Sequence, residues 1–306
     1  METLSLLRLL VGVVFFGFAA YSDVRTRRVK NEVWMVLGAI GFLILGMDLF
    51  SHSDATWVHF LIFFPAGILF YEVYIERDPI IDEGFHFVPL GFVLYGTVGV
   101  VIIAQVFLLY QDPDQMDLFL RLLTIPAMIT VAHVFFQTGL LKGGADAKAL
   151  MSLAVLAPFY PAFLGFPVIE MESQAGSMME IVFPFSLVIL MNAAILTIFA
   201  PLAFLVINAR KGDLRFPQCL FGYKASLSDF PKFAWLMERV RNERVEISVF
   251  LKRRSDKEEE IKALIAFGRE EAWATPQLPF MVPMLLGLLI SFFIGNLILG
   301  LVLAIT

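Results

Sequence analysis

A chain of 306 residues that is 59% hydrophobic, with a mean hydropathy of +0.80, is not an ordinary soluble domain, in which apolar residues fill roughly half the sequence. The net charge of −5 gives no basis for a nucleic-acid partner, and the single cysteine, Cys219, excludes an intrachain disulfide or a multi-cysteine zinc cluster. The four histidines, His52, His59, His86 and His133, lack His-Glu-x-x-His spacing, so no metal or other cofactor is expected.

Several apolar runs have the roughly 20 residues needed to cross a bilayer core of about 30 Å. They do not alternate polar and apolar positions as barrel strands would. The expected fold is therefore an all-α polytopic membrane protein. About eight transmembrane helices are expected, near 4–21, 33–50, 56–75, 87–110, 118–139, 147–166, 181–207 and 278–303. The basic cluster of the first run follows its apolar residues, which predicts a retained helix and not a signal peptide. Lys and Arg of short loops stay on the cytoplasmic side. Alternating the connections from Arg25, Arg27, Arg28 and Lys30 puts Arg77, Lys142, Lys148 and the basic residues from Arg210 to Arg269 on that side, leaving Arg8 and Arg121 as exceptions. Both termini should lie outside.

Between the last two spans the chain turns hydrophilic. The expected organisation is a transmembrane catalytic core at 1–207, a small α+β cytoplasmic insert at 208–276 and a final transmembrane helix at 277–306. Within the insert, a helix is expected over 228–242 with Ser228 as its N-cap. A strand is expected over 245–251. A second helix is expected over 255–269, with Glu258, Glu259 and Glu260 at its positive end.

Two acids stand at the ends of apolar runs: Asp23, in Tyr21-Ser22-Asp23, and Asp146, behind Gly143 and Gly144. Each has a purely structural reading. Asp146 could cap the sixth helix, and Asp23 could pair with Arg25, Arg27 or Arg28. Considered together they suggest more. Ionisable groups at membrane depth are costly and usually face a protein-lined cavity. Two carboxyls in one site share a proton, because neighbouring like charges cannot both ionise cheaply. One can then activate a water while the other, protonated, polarises a peptide carbonyl. The helix ends predict an asymmetry: a helix N-terminus favours charge on Asp146, whereas a C-terminus disfavours it on Asp23.

The segment 21–31, Tyr-Ser-Asp-Val-Arg-Thr-Arg-Arg-Val-Lys-Asn, resembles the first-aspartate segment of the type IV prepilin peptidases. Lys-Gly-Gly-Ala-Asp-Ala-Lys at 142–148 resembles their second, the Gly-x-Gly-Asp element, and Trp-Ala-Thr-Pro-Gln-Leu-Pro-Phe at 273–280 resembles the archaeal preflagellin (prearchaellin) peptidase branch. The resemblance implies an archaeal aspartic endopeptidase of the cytoplasmic membrane, with Asp23 and Asp146 in the catalytic positions. Its substrates would be prepilin or prearchaellin precursors bearing N-terminal class III signal peptides, cut at the cytoplasmic face of the bilayer. Three departures stand out. Ala145 replaces the second glycine of the strict motif. The cysteine-rich domain of many bacterial relatives is missing, so product N-methylation is not expected. No Pro-Ala-Leu element follows Asp146, unlike the presenilin-like relatives.

Around the acids, Lys142 and Lys148 could tune Asp146 or simply anchor the cytoplasmic face, and Gly143 and Gly144 could admit substrate backbone or form a plain turn. His133 and Gln137 are expected to make interhelical hydrogen bonds. Glu72, Glu76, Asp78, Asp82 and Glu83 form an acidic patch that could receive the basic residues such substrates carry, or a solvated loop. Two other classes compete with the peptidase: a proton- or cation-coupled transporter using the same two acids, and a scaffold without chemistry. The acids sit near one face and not at the midplane, which disfavours transport.

Overall fold

The structure is a computed structural model that describes residues 2–75, 89–141, 143–169, 173–241, 244–247 and 257–305. Helices α1 (Glu2–Thr26), α2 (Asn31–Ser51), α3 (Phe63–Glu72), α4 (Pro89–Leu109), α5 (Pro113–Gln137), α6 (Gly144–Leu156), α7 (Ser173–Val182), α8 (Phe185–Thr197), α9 (Phe199–Lys211) and α10 (Gln218–Phe221) come first. Strands β1 (Tyr223–Ser226), β2 (Ala234–Leu236), β3 (Glu238–Arg241) and β4 (Arg244–Ile247) follow, then α11 (Lys257–Ala266), β5 (Glu271–Pro276), α12 (Met281–Phe293) and α13 (Leu297–Ile305). The chain divides into two compact units, one made of Met1–Ala193 with Phe280–Thr306 and the other of Ala194–Pro279.

Five helices among the described residues are long and apolar enough to span a membrane: Glu2–Thr26, Asn31–Ser51, Gly91–Leu109, Pro113–Gln137 and Phe185–Lys211. The polytopic helical class thus stands, with a small mixed insert late in the chain. The other three expected spans are shorter or broken. The third is a 3-10 turn at His59–Ile62 leading into α3. The sixth stops at Leu156 because Ala157 precedes Pro158 and leaves the helical region, at φ −131 and ψ 70. The eighth breaks between α12 and α13 at Gly295, where φ is +106.

A break at membrane depth strands carbonyls that no water can satisfy, and here neighbouring groups take them. Val168 N–H donates to the Phe293 carbonyl (3.0 Å) and Ile169 N–H to that of Ile294 (2.8 Å). Buried Asn192 on α8 donates to the Gly295 carbonyl (2.9 Å) and to Ser291 Oγ (2.8 Å), and accepts from Leu297 N–H (3.3 Å).

The two cations that depart from the expected charge sidedness are both paired with acids. Arg8 Nη2 meets Asp48 Oδ2 at 2.7 Å, with both side chains buried, and so joins the start of α1 to the end of α2. Arg121 meets Asp117 at 2.8 Å and Glu180 at 3.1 Å. The sidedness rule concerns unpaired charges in loops, and neither arginine is one.

One apolar cluster organises the first unit around the tips of α1 and α6. Phe16, Ala19 and Ala20 of α1, Trp34 of α2, Ala149 and Leu153 of α6, and Met281 and Met284 of α12 are all buried in it. Phe16 and Trp34 have ring centroids 5.5 Å apart. Helices α2 and α6 run side by side in the same direction, since Lys148 meets Asn31 near both N-termini and Gly41 meets Leu156 further along.

In the second unit, β1, β5 and β2 form an antiparallel sheet in that order, and β3 pairs with β4. Leu227, Leu236, Leu264 and Ala272 form a core where α11 covers the strands. The expected helix over 228–242 is not present. Ala234 and Leu236 are buried and Trp235 between them is exposed, a period-two pattern that pairs residues 234–236 with 274–276 of β5. The Ser228 hydroxyl contacts Ser226 Oγ (2.9 Å) instead of capping a helix. The expected strand over 245–251 is seen through Ile247, with 248–251 outside the described residues, and the expected helix over 255–269 is α11. Of the glutamate run, Glu260 pairs with Arg239 at 2.8 Å.

Helix α6 depends on α2 for its placement, and Gly41 is the close approach. A β-carbon there would stand 3.0 Å from the Leu156 amide nitrogen and 3.1 Å from its Cα, atoms of a backbone that cannot swing aside. Gly41→Ala is expected to lower the thermal stability of the detergent-solubilised protein by about 1–3 kcal/mol, as overpacking does. Gly17→Ala on α1, where nothing lies within 4 Å, should leave it unchanged. Equal melting temperatures for the two variants would contradict this account of the α2–α6 contact.

Candidate active site

Asp23 lies in the last two turns of α1, partly buried. Its Oδ2 accepts a hydrogen bond from the backbone N–H of Met281, the first residue of α12, at 3.1 Å. Just beyond, the chain reverses. Arg27 takes a left-handed conformation at φ 54. Its amide and its Nη1 donate to the Asp23 carbonyl at 2.9 and 3.1 Å. The hydroxyls of Ser22 and Thr26 donate to the Arg28 carbonyl at 2.7 and 3.0 Å. Among the arginines considered as partners, Arg27 places its charge where it attracts the Asp23 carboxyl, whereas Arg25 stacks 4.9 Å over the Tyr21 ring.

Asp146 is not the N-cap of α6; Gly143 is, with φ −99 and ψ 125. Asp146 stands three residues on, and its carboxyl folds back over that glycine, as the return arm of a capping box does. The approach is close. A β-carbon at Gly143 would lie 2.5 Å from Oδ2 and 2.9 Å from Cγ, and the carboxyl takes a backbone hydrogen bond from Gly143. The capping reading of Asp146 is therefore partly right and does not compete with a chemical role.

The structure brings the two acids together. Asp23 at the end of α1 and Asp146 at the start of α6 are near enough to act on each other as like charges, above the apolar cluster shared by their helices. Each carboxyl also meets the N-terminal N–H of a helix, α12 for Asp23 and α6 for Asp146. The asymmetry expected from helix ends therefore fails: the unfavourable end of α1 is offset by the favourable end of α12. Nothing local in the sequence announced the Met281 amide. Its only signal was the apolar run expected from residue 278 onward.

The remaining sequence candidates are spread out. Lys148 does not reach Asp146. Its Nζ donates to Asn31 Oδ1 at 2.8 Å and lies 5.1 Å over the Tyr74 ring. Gly144 opens α6 with room beside it, Phe136 being 3.6 Å from an added β-carbon. His133 pairs with Gln137 on its own helix, Nε2 to Nε2 at 3.3 Å, so the expected interhelical bonds are replaced by one within α5. Glu72 closes α3, partly buried. Lys142, and Glu76, Asp78, Asp82 and Glu83 of the acidic patch, lie outside the described residues. No group of three or more His, Cys, Asp or Glu among the described residues could hold a metal ion.

Residues 215–297 match the family described as Archaeal Peptidase A24 C-terminus Type II. The chain is 24% identical over 299 residues to a preflagellin peptidase of Methanococcus voltae, covering 96% of this chain and 97% of that protein. It is 25% identical over 284 residues to a preflagellin peptidase of Methanocaldococcus jannaschii, covering 88% and 97%. The likeness carried by the two aspartate segments thus runs along nearly the whole chain, and it is to the archaeal preflagellin peptidase branch.

Proposed function

We propose that this protein is a membrane aspartic endopeptidase that removes the N-terminal signal peptides of preflagellin- or prepilin-type precursors at the cytoplasmic face of the cell membrane. One observation supports this most directly: two carboxyls from distant parts of the chain, Asp23 and Asp146, lie at the tips of α1 and α6 near enough to act on each other as like charges. The names of the full-length relatives agree with it.

In this reading the pair holds one proton between them. The ionised carboxyl takes a proton from a water while the protonated one donates a hydrogen bond to the scissile carbonyl. As the water oxygen adds to the carbonyl carbon, the protonated carboxyl passes its proton to the carbonyl oxygen, giving a tetrahedral gem-diol and leaving the dyad with the one proton taken from the water. The peptide C–N bond then breaks as the amine leaves with a proton returned by the dyad. The Met281 and Gly143 amides hold the two carboxyls in place without competing for that proton, because each can only donate.

Asp23→Asn and Asp146→Asn should each lower precursor cleavage in membranes by about 10²–10⁴-fold or more, the range for removing a general acid or base. Cleavage persisting in either variant would remove that acid from the mechanism. For the wild type, the rate should pass through a maximum as pH rises, since the doubly protonated pair lacks a base and the doubly ionised pair lacks an acid.

Gly143→Ala offers a separate check. Its backbone angles suit alanine, so the fold should persist, but the new methyl would displace the Asp146 carboxyl. A fall in turnover of about tenfold or more is expected, in line with the cost of small misplacements at a reacting centre. Unchanged turnover would show that the observed Asp146 conformer is not the working one.

A further inference from the structure

The structure gives Lys148 a partner other than the acid it neighbours in sequence, and that partner follows the other acid. Asn31 opens α2, eight positions past Asp23 and just beyond the turn that the Ser22 and Thr26 hydroxyls tie down. Lys148 stands on α6, two positions past Asp146 and so on a different face of that helix. The 2.8 Å hydrogen bond from Lys148 Nζ to Asn31 Oδ1 joins the two aspartate-bearing segments end to end, and the same ammonium lies 5.1 Å over the Tyr74 ring. Lower down, α2 and α6 are already locked by the Gly41–Leu156 approach and the Trp34-centred cluster. At the tips, where two like charges push apart, this bond links the starts of the two helices, one turn beyond the longer contact from Ser152 Oγ to the Trp34 carbonyl (3.5 Å).

Resting on the reading of Asp23 and Asp146 as the reacting pair, we propose that Lys148 and Asn31 form a brace that sets the distance between the two carboxyls. Lys148 is thus a positioning residue and not an electrostatic tuner of Asp146. The two roles differ in what Asn31 does. If Lys148 acts by its charge on Asp146, losing Asn31 is harmless. If it acts through the brace, losing either end is equivalent.

The test is a double-mutant cycle on the full-length protein in membranes, with Lys148→Met, Asn31→Leu and the pair. The brace predicts that each single change lowers kcat by about tenfold, the value of one charge-assisted hydrogen bond, with KM little changed. The double variant should be no worse than either alone, and Lys148→Arg, which keeps a donor for Asn31, should recover most of the activity. The optimum pH should stay in place in Asn31→Leu. Multiplicative losses, full activity in Asn31→Leu, or a shifted pH optimum confined to Lys148→Met would overturn the brace. A readout independent of cleavage keeps the brace separate from the peptidase assignment. With Cys219→Ser as background, spin labels on Val24→Cys and Ala145→Cys should give one narrow distance distribution that broadens in both Lys148→Met and Asn31→Leu. An unchanged distribution would overturn the brace even if cleavage is confirmed. A broadened one in a protein that cuts no precursor would keep the brace and discard the peptidase.

Discussion

The arrangement turns on one electrostatic problem, which is holding two mutually repelling carboxyls at the edge of an apolar core. Like charges at short range repel most where water is scarce, so neither α1 nor α6 could hold its tip there unaided. The solution is distributed. Helix α2 follows α1 across a short turn and lies parallel to α6, close enough at Gly41 that a β-carbon there would crowd the Leu156 backbone. Helix α12 meets the other side of α1, with Leu288 3.0 Å from a β-carbon placed at Gly12, and its first amide reaches Asp23. The same packing that buries Phe16, Trp34 and Met281 therefore delivers both acids and their amide donors to one place.

Elsewhere in the first unit, two buried polar groups are paired across elements, as a low-dielectric setting favours. The buried Arg8–Asp48 pair closes the far end of the α1–α2 hairpin. Removing one partner of such a pair typically costs about 3–5 kcal/mol, because the other charge is then buried alone. Asn192 does the same for backbone, using its amide on both sides of the break between α12 and α13. A break supported this way lets the last apolar run fit as two short helices where one long one was expected.

What could be read from the sequence followed from how local each signal was. Apolar run length and the basic cluster after residue 24 carried the membrane class, and the aspartate segments, each a short contiguous motif, carried the likeness to preflagellin peptidases. The features that escaped are long-range. Met281 donates to a residue 258 positions away, and Asn192 serves a loop 103 positions on. Lys148 reaches back 117 positions to Asn31. In the insert, the stretch 228–242 reads as helical by composition, and only its pairing with β5, far along the chain, makes it strand. His133 and Gln137 were correctly seen as neighbours one turn apart, yet they satisfy each other and not another helix.

Cross-linking in native membranes bears most directly on the central claim that the tips of α1 and α6 meet. Asp23→Cys and Asp146→Cys, combined in a Cys219→Ser background, would be treated with a short thiol-specific bifunctional reagent. The account predicts efficient intramolecular linkage, comparable to that of a control pair at Asn31 and Lys148. Linkage of the control pair without linkage of the aspartate positions would contradict it.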